Sequence, residues 1–357
     1  MKSRIQTFKD SFAKRKLDGY IVANETNMLY FMGAVGAAAL WVPFDGENLL
    51  YVYGGNYESV KATARDCRVE LMKRSEDPFK KVAEQINHFK LKSIGFDVLS
   101  AYHYLTLRKA LKGTRIKPLN KLVQEFRMVK DPTELASIRK AAELTDAGVK
   151  AALSAIEVGV REYEVAAEME YAMRKLGSEG VAFDTIVASG ARSAFPHGAH
   201  SGCTDQKIRK GEFIVIDVGA RYNNYRADLT RTFMIGTPSP KQKRIYEVVR
   251  EAQQKAFEKI KAGAKTRDID AAARKVIEKA GFGKYFVHGL GHGVGLDIHE
   301  APSLNPESKE RLKVGNVVTD EPGIYIVNYG GVRIEDTVLV HKDQAEKLTK
   351  ATYELTI

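Results

Sequence analysis

Two kinds of apolar periodicity alternate along the first third of this chain. Short runs of strand length, Tyr20–Val22, Leu40–Val42, Leu49–Tyr53, Val69–Leu71 and Ser93–Phe96, are separated by stretches with helical spacing, among them Asn56–Arg65, Pro78–Phe89 and Ser100–Leu111. The opening residues, MKSRIQTFKDSFAKRKLDGYIVA, read as an amphipathic helix running into a strand. The alternation predicts an α/β domain over residues 1–125, with a mixed or parallel sheet flanked by helices. Gly33–Gly36 and Gly54–Gly55 lack the spacing of a phosphate-binding loop and read as turns.

A boundary follows near Phe126. Asp131, Pro132 and Glu134 stand as an N-cap, a first-turn proline and a capping-box partner, and Leu135, Ile138, Ala142 and Thr145 carry a long amphipathic helix toward Ile156. A second helix begins after Gly159, with Tyr163, Ala166, Met169, Met173 and Leu176 on one stripe; methionines at that spacing belong to a core rather than to a ligand set. Two more, Lys241–Lys261 and Thr266–Ala280, come later. Helix pairs alternating with strand pairs predict an α+β domain over residues 126–357, a single antiparallel sheet covered by helices.

The most informative stretch is Phe213–Ile235, FIVIDVGARYNNYRADLTRTFMI. Alternation puts Phe213, Val215 and Asp217 on one face and Ile214, Ile216 and Val218 on the other. With a turn centred near Tyr222 and Asn223, Asp228 falls across the ladder from Asp217. Two carboxylates at that distance in an apolar setting hold a proton or a metal ion. On this segment alone, a turn-forming Asp217 and a surface Asp228 fit equally well.

Three later clusters change that balance: HGLGHGVGLDIHEAP from His288, DEPGIY from Asp320 and GGVRIED from Gly330. Each sets His or Glu beside glycines that let the backbone approach a site closely. An oxygen-rich donor set with one imidazole suits Mn, Co, Zn or Fe rather than thiolate-seeking ions. At these blocks, together with IDVGARYNNYRADLTRTF and the FPHG of Phe195–Gly198, the sequence resembles the pita-bread metallopeptidases, which include aminopeptidase P, prolidase and methionine aminopeptidase.

The resemblance implies a creatinase-like N-terminal domain and a pita-bread catalytic domain. It implies two divalent ions per chain, Mn or Co ahead of Zn or Fe, held by Asp217, Asp228, His292, Glu321 and Glu335. Asp228 and Glu335 would serve both ions, Asp217 one, and His292 with Glu321 the other. Such a pair acidifies a shared water for attack on an amide. Glu321 would also shuttle a proton to the leaving amine. His197, His288 and His299 fall at positions that contact substrate or polarise its carbonyl. Arg333 would orient a ligand carboxylate and contact substrate. His88, His103, His200 and His341 match nothing and read as structural or solvated.

The presence of an N-terminal domain argues against methionine aminopeptidase, and the three histidines point to enzymes that cut before proline, a tertiary amide. The implied substrates are short proline-containing peptides and the implied assembly is a homodimer. A strict dipeptidase needs a cation for the substrate carboxylate. Arg333 is the only arginine inside the three matched blocks from His288 onward, and nothing aims Lys309, Arg311 or Lys313 at the site. Aminopeptidase P and prolidase therefore both stay open. So does a different class: a non-catalytic binding module, or other C–N hydrolysis such as creatinase performs.

Charge and cysteine content narrow the setting. The net charge is +11, and residues 101–130 hold eight Lys or Arg against the single acid Glu125. With an apolar stripe at Tyr104, Leu107 and Leu111 and no recognition motif, these cations read as a solvated helix face rather than a specific nucleic-acid surface. No signal-peptide pattern and no long apolar run appear, and Cys67 and Cys203 are too few for a disulfide framework, which fits a soluble cytoplasmic protein.

Overall fold

The computed structural model describes residues 2–198 and 202–357. The chain divides into two compact units, Met1–Arg127 and Met128–Ile357.

The first unit runs α1 (Arg4–Arg15), β1 (Gly19–Val22), α2 (Glu25–Met32), β2 (Ala39–Pro43), β3 (Leu49–Tyr53), α3 (Gly54–Thr63), β4 (Arg68–Met72), α4 (Pro78–His88), β5 (Ser93–Phe96), α5 (Ala101–Ala110), β6 (Arg115–Pro118) and α6 (Asn120–Arg127). Its six strands form one mixed sheet in the order β4-β3-β2-β1-β5-β6. The β1–β2 and β2–β3 pairs are antiparallel, and β3–β4, β1–β5 and β5–β6 are parallel. Phe79, Val82 and Ile86 of α4 pack on Ile21, Trp41 and Ile94 of the sheet. Gly54 and Gly55 open α3 instead of forming a turn. Strand β6 escapes hydropathy patterning because Ile116 is its one buried residue among basic neighbours.

The second unit starts with α7 (Pro132–Ala155), whose Asp131 accepts from the Thr133 and Glu134 amides while Glu134 caps back onto the Asp131 amide. Then come α8 (Glu162–Lys175), β7 (Gly180–Val181), β8 (Ile186–Ser189), β9 (Ile214–Val218), β10 (Ala220–Tyr222), β11 (Tyr225–Arg226), β12 (Leu229–Phe233), α9 (Pro240–Phe257) and α10 (Thr266–Lys279). After a short 3-10 turn at Gly283–Tyr285 come the strands β13 (Gly291–Gly293), β14 (Glu300–Leu304), β15 (Val317–Asp320), β16 (Gly323–Ile326), β17 (Gly330–Arg333), β18 (Asp336–Val340) and β19 (Ala345–Lys347).

Among the described residues every pairing between these strands is antiparallel, yet the strands do not form the single sheet expected. They fall into ladders β11-β10-β7, β12-β9-β8, β14-β13-β15-β18-β19 and β16-β17. The breaks follow the sequence: Gly219 separates β9 from β10, Glu321-Pro322 separates β15 from β16, and Ile334-Glu335 separates β17 from β18. Two of these breaks carry acidic residues of the site, Glu321 and Glu335, while Asp217 lies within β9 and Asp228 just before β12.

Strand β9 and the residue just before it serve two cores. Ile214, Ile216 and Val218 meet Leu144, Val149, Met169 and Met173 of the α7–α8 pair. Phe213 packs with Val249, Ile269 and Ile277 of the α9–α10 pair. Tyr163 and Leu176, expected on the buried stripe of α8, are instead exposed at its ends. Among the described residues no helix is long and apolar enough to cross a membrane.

Candidate metal centre

The register of the β9–β12 hairpin differs from the expected one. Its turn is Asn223–Asn224, both with positive φ, closing the Tyr222–Tyr225 pair. Moving the turn centre by one residue moves the pairing by two, so Thr230 stands opposite Asp217 and Asp228 lies just before β12. The aspartates are therefore diagonal neighbours on one face rather than directly opposed. Their carboxyl groups still interact strongly, each contributing to the other's titration.

His292 sits at the middle of β13, between β14 and β15. A side chain at Gly291 would run into the Thr319 carbonyl, and one at Gly293 into the Ala301 carbonyl. Two flanking glycines are what let this strand be gripped on both sides and present one imidazole. The Thr319 hydroxyl accepts from the His292 amide at 3.0 Å and donates to Glu321 Oε1 at 3.1 Å, so one side chain sets two site residues.

Asp228, His292 and Glu335 offer ligand atoms within 4.8 Å of one another. His292 Nε2 lies 3.2 Å from Glu321 Oε1 and 3.7 Å from Asp228 Oδ2. Asp217 joins through Oδ2, which accepts from Arg333 Nη2 at 2.5 Å. All five residues line one cavity of about 810 Å³.

The free oxygen atoms test whether this group suits a cation. Asp217 Oδ1, Asp228 Oδ1 and Glu335 Oε1 are buried and have no hydrogen-bond partner among the described residues. In the case of Asp217 and Glu335 the other oxygen is held, by Arg333 and by the Thr230 hydroxyl at 2.6 Å. A buried carboxylate with one oxygen fixed and one bare is costly without a positive charge in front of it. The donor set therefore fits hard or borderline divalent ions.

Without such ions the cluster must keep protons. Burial, then the charge of Asp217, pushes the Asp228 carboxyl well above the carboxylate range; burial, then Asp228, does the same to Glu335. Burial works against charge on His292, but the Glu321 hydrogen bond and the surrounding carboxylates raise it to about 9. Burial likewise opposes charge on Glu321, yet His292 holds it down to about 2. His292 and Glu321 thus form an ion pair beside two protonated carboxyls.

His197, His288 and His299 line the same cavity. His299 stacks edge-on against His292 with ring centroids 4.2 Å apart. His288 is fixed by the Gly289 carbonyl at 2.7 Å and the Tyr325 hydroxyl at 2.9 Å, and burial lowers its pKa. Arg333, expected to reach substrate, has its donors committed within the protein: Nε to Thr230 Oγ1, Nη1 to the Pro196 carbonyl and Tyr325 hydroxyl, Nη2 to Asp217. Elsewhere, His103 stacks on Phe79, His88 meets Phe89 edge-on, and His341 lies 3.0 Å from Glu346. His200 lies outside the described residues.

Several contributors are invisible to motif reading. Thr230 links Arg333 to Glu335, and Tyr325 links Arg333 to His288. Buried Glu162 accepts from the amides and hydroxyls of both Ser189 and Thr204 and pairs with Arg192 at 3.0 Å. It thereby ties together the two ends of the segment that carries His197. Arg231 donates to the Glu335 carbonyl at 2.5 Å and to Asp336 Oδ1 at 2.9 Å. No spacing or hydropathy pattern singles out Thr230, because its partners lie more than 100 residues away.

Comparison with known proteins agrees with this geometry. Residues 136–342 match the model of metallopeptidase family M24, and residues 4–129 match the creatinase/prolidase N-terminal domain. An Xaa-Pro dipeptidase of Pyrococcus horikoshii is 41% identical, covering 99% of each chain. The crystal structure of a prolidase from Pyrococcus horikoshii superposes with a TM-score of 0.92 at 38% identity, covering 98% of this chain and 99% of that one. An X-Pro aminopeptidase structure from Thermotoga maritima gives 0.86 at 34% identity, over 97% and 99% of the two chains. The five acidic and imidazole side chains that meet in the cavity stand in a chain that belongs to metallopeptidase family M24 and carries a creatinase/prolidase N-terminal domain.

Proposed function

We propose that this protein is a two-metal peptidase that hydrolyses the bond before proline in short peptides. The observation that carries the reading is the set of bare, buried carboxylate oxygens on Asp217, Asp228 and Glu335 beside His292 and Glu321. These five residues would hold two divalent cations, whose four positive charges balance the four carboxylates. When bound, such ions acidify a shared water and stabilise charge on the scissile carbonyl oxygen.

The protein's own groups supply the rest. Glu321, whose Oε1 already bonds to a hydroxyl and an imidazole, is placed to take a proton and return it to the proline nitrogen as it leaves. His197 and His299 line the cavity beside the cluster and would donate to the carbonyl, while His288, held by the Gly289 carbonyl and the Tyr325 hydroxyl, would shape the wall around the substrate. Phe183, Ile186 and Ile298 give the wall an apolar stretch suited to a pyrrolidine ring. Arg333 would position Asp217.

The same reading takes Mn or Co as the ions, a homodimer as the working assembly and the cytoplasm as the setting, the last supported by two free cysteines. Residues 1–125 would form the accessory domain and 126–357 the catalytic one. The test is hydrolysis of Xaa-Pro peptides by metal-stripped protein restored with Mn or Co. Activity that returns with metal and is abolished in Asp217→Ala supports the reading; metal-independent activity, or none, removes it.

A further inference from the structure

Resting on that reading, we propose that the site does not select for a free carboxylate after proline, and that Xaa-Pro amides and Xaa-Pro-Xaa tripeptides are substrates on equal or better terms than Xaa-Pro dipeptides. A dipeptide differs from a longer peptide in one group, the carboxylate on its proline. Selective capture of that group takes a cation with uncommitted donors.

Among the described residues, Arg333 is the only Lys or Arg on the cavity wall. Its Nε and both Nη atoms already donate to Thr230, Pro196, Tyr325 and Asp217, and it is 3% exposed. Cations near the wall are committed as well. Arg274 forks onto Asp270 with two bonds of 2.9 Å and donates to the carbonyls of Phe286 and His288. Lys130 pairs with Glu300, next to His299, at 2.8 Å, with side chains only 1% and 5% exposed. Lys309 and Arg311 line a different, smaller pocket.

Beyond the imidazoles, which sit at the cluster, the wall offers neutral or negative groups. Ser303 and Asn305 line the cavity and are joined by a 2.7 Å bond from Asn305 Nδ2 to Ser303 Oγ. They provide polar partners for a peptide group without a charge. Asp184 also lines the cavity, is exposed, and makes no hydrogen bond or ion pair with another described residue. An unpaired carboxylate there disfavours a second one on the substrate. At about 810 Å³ the cavity lies high in the range of about 300–1,000 Å³ typical of ligand sites, leaving room beyond a dipeptide.

The test compares kcat/KM for Ala-Pro, Ala-Pro amide and Ala-Pro-Ala on the Mn-loaded full chain. The amide removes the charge at nearly constant size. The amide and tripeptide are expected to equal the dipeptide within a factor of three or to exceed it. An amide below one-third of the dipeptide overturns the proposal while leaving the peptidase reading intact. If none of the three is cut, both fall. A second pair of measurements reads the wall directly. Ser303→Lys is expected to raise the dipeptide-to-amide ratio at least tenfold over the parent, and Asp184→Asn to raise it several-fold. A ratio unmoved in both variants, with circular dichroism like the parent's, also overturns the proposal.

Discussion

Thr230 and Glu335 hold each other twice: the Thr230 hydroxyl donates to Glu335 Oε2 at 2.6 Å, and the Glu335 amide donates to the Thr230 carbonyl at 3.0 Å. The same hydroxyl accepts from Arg333 Nε at 2.9 Å, so one side chain orients the carboxylate that faces the cluster and the arginine that fixes Asp217. Thr230→Val keeps the shape and removes this link, leaving a buried acceptor and a buried donor unmet. The expected cost is about 1–3 kcal/mol in denaturant unfolding. Metal affinity should fall by roughly 10–100-fold, read by titration of stripped protein.

Metal loading at neutral pH should release protons. His292, raised to about 9, and the Asp228 and Glu335 carboxyls, pushed up by burial and mutual repulsion, hold protons that a cation displaces. Affinity for Mn or Co should therefore rise with pH up to about 9, where His292 loses its proton unaided. Calorimetry in buffers of different ionisation enthalpy measures the number released. A binding heat independent of buffer would show the cluster already deprotonated.

Arg231 and Asp336 form an ion pair at 2.9 Å, with side chains 1% and 0% exposed. Lys347 and the Tyr353 hydroxyl also reach Asp336 Oδ2. Asp336→Ala strands Arg231 in the interior, and the expected loss is about 3–5 kcal/mol. Because Arg231 also holds the Glu335 carbonyl, metal binding should weaken in any folded fraction. Unfolding curves with and without Mn separate the two effects.

Glu346 offers a pH-dependent pair away from the site. Arg139 donates to both of its oxygens, and with His341 holds the carboxyl at about 2, below the ordinary 4.5. A depressed carboxyl contributes stability that is full above about 4.5 and is lost as pH falls through about 2. Both partners are partly exposed, so Arg139→Ala should cost less than about 1 kcal/mol at pH 7. The difference between variant and parent should shrink as the pH drops below 4.5 and vanish near 2. Chemical denaturation at a series of pH values follows it.

The α7 start at Asp131-Pro132 and the alternation of β9 were legible because each rests on local rules: a cap, a fixed proline φ, and a period of two. The aspartate register was misjudged because it hangs on which two residues carry positive φ in a run of Tyr and Asn. The covered single sheet was misjudged because Gly219 and Pro322 looked like ordinary interruptions, not points at which ladders end.

From the sequence alone, five separated blocks in one order determined the family, the α/β plus α+β architecture and the donor types, since glycine spacing and acidic residues in apolar strands survive without coordinates. Only the tertiary structure decided that Asp217 shares Arg333, that Thr230 and Thr319 orient Glu335 and Glu321, and that the cations at the cavity wall are committed. Asp217 with Arg333 and Thr230 with Glu335 are contacts between residues more than 100 positions apart, and Thr319 meets Glu321 only because β15 ends between them. Hydropathy and spacing record which face a side chain takes, not which distant group it meets there.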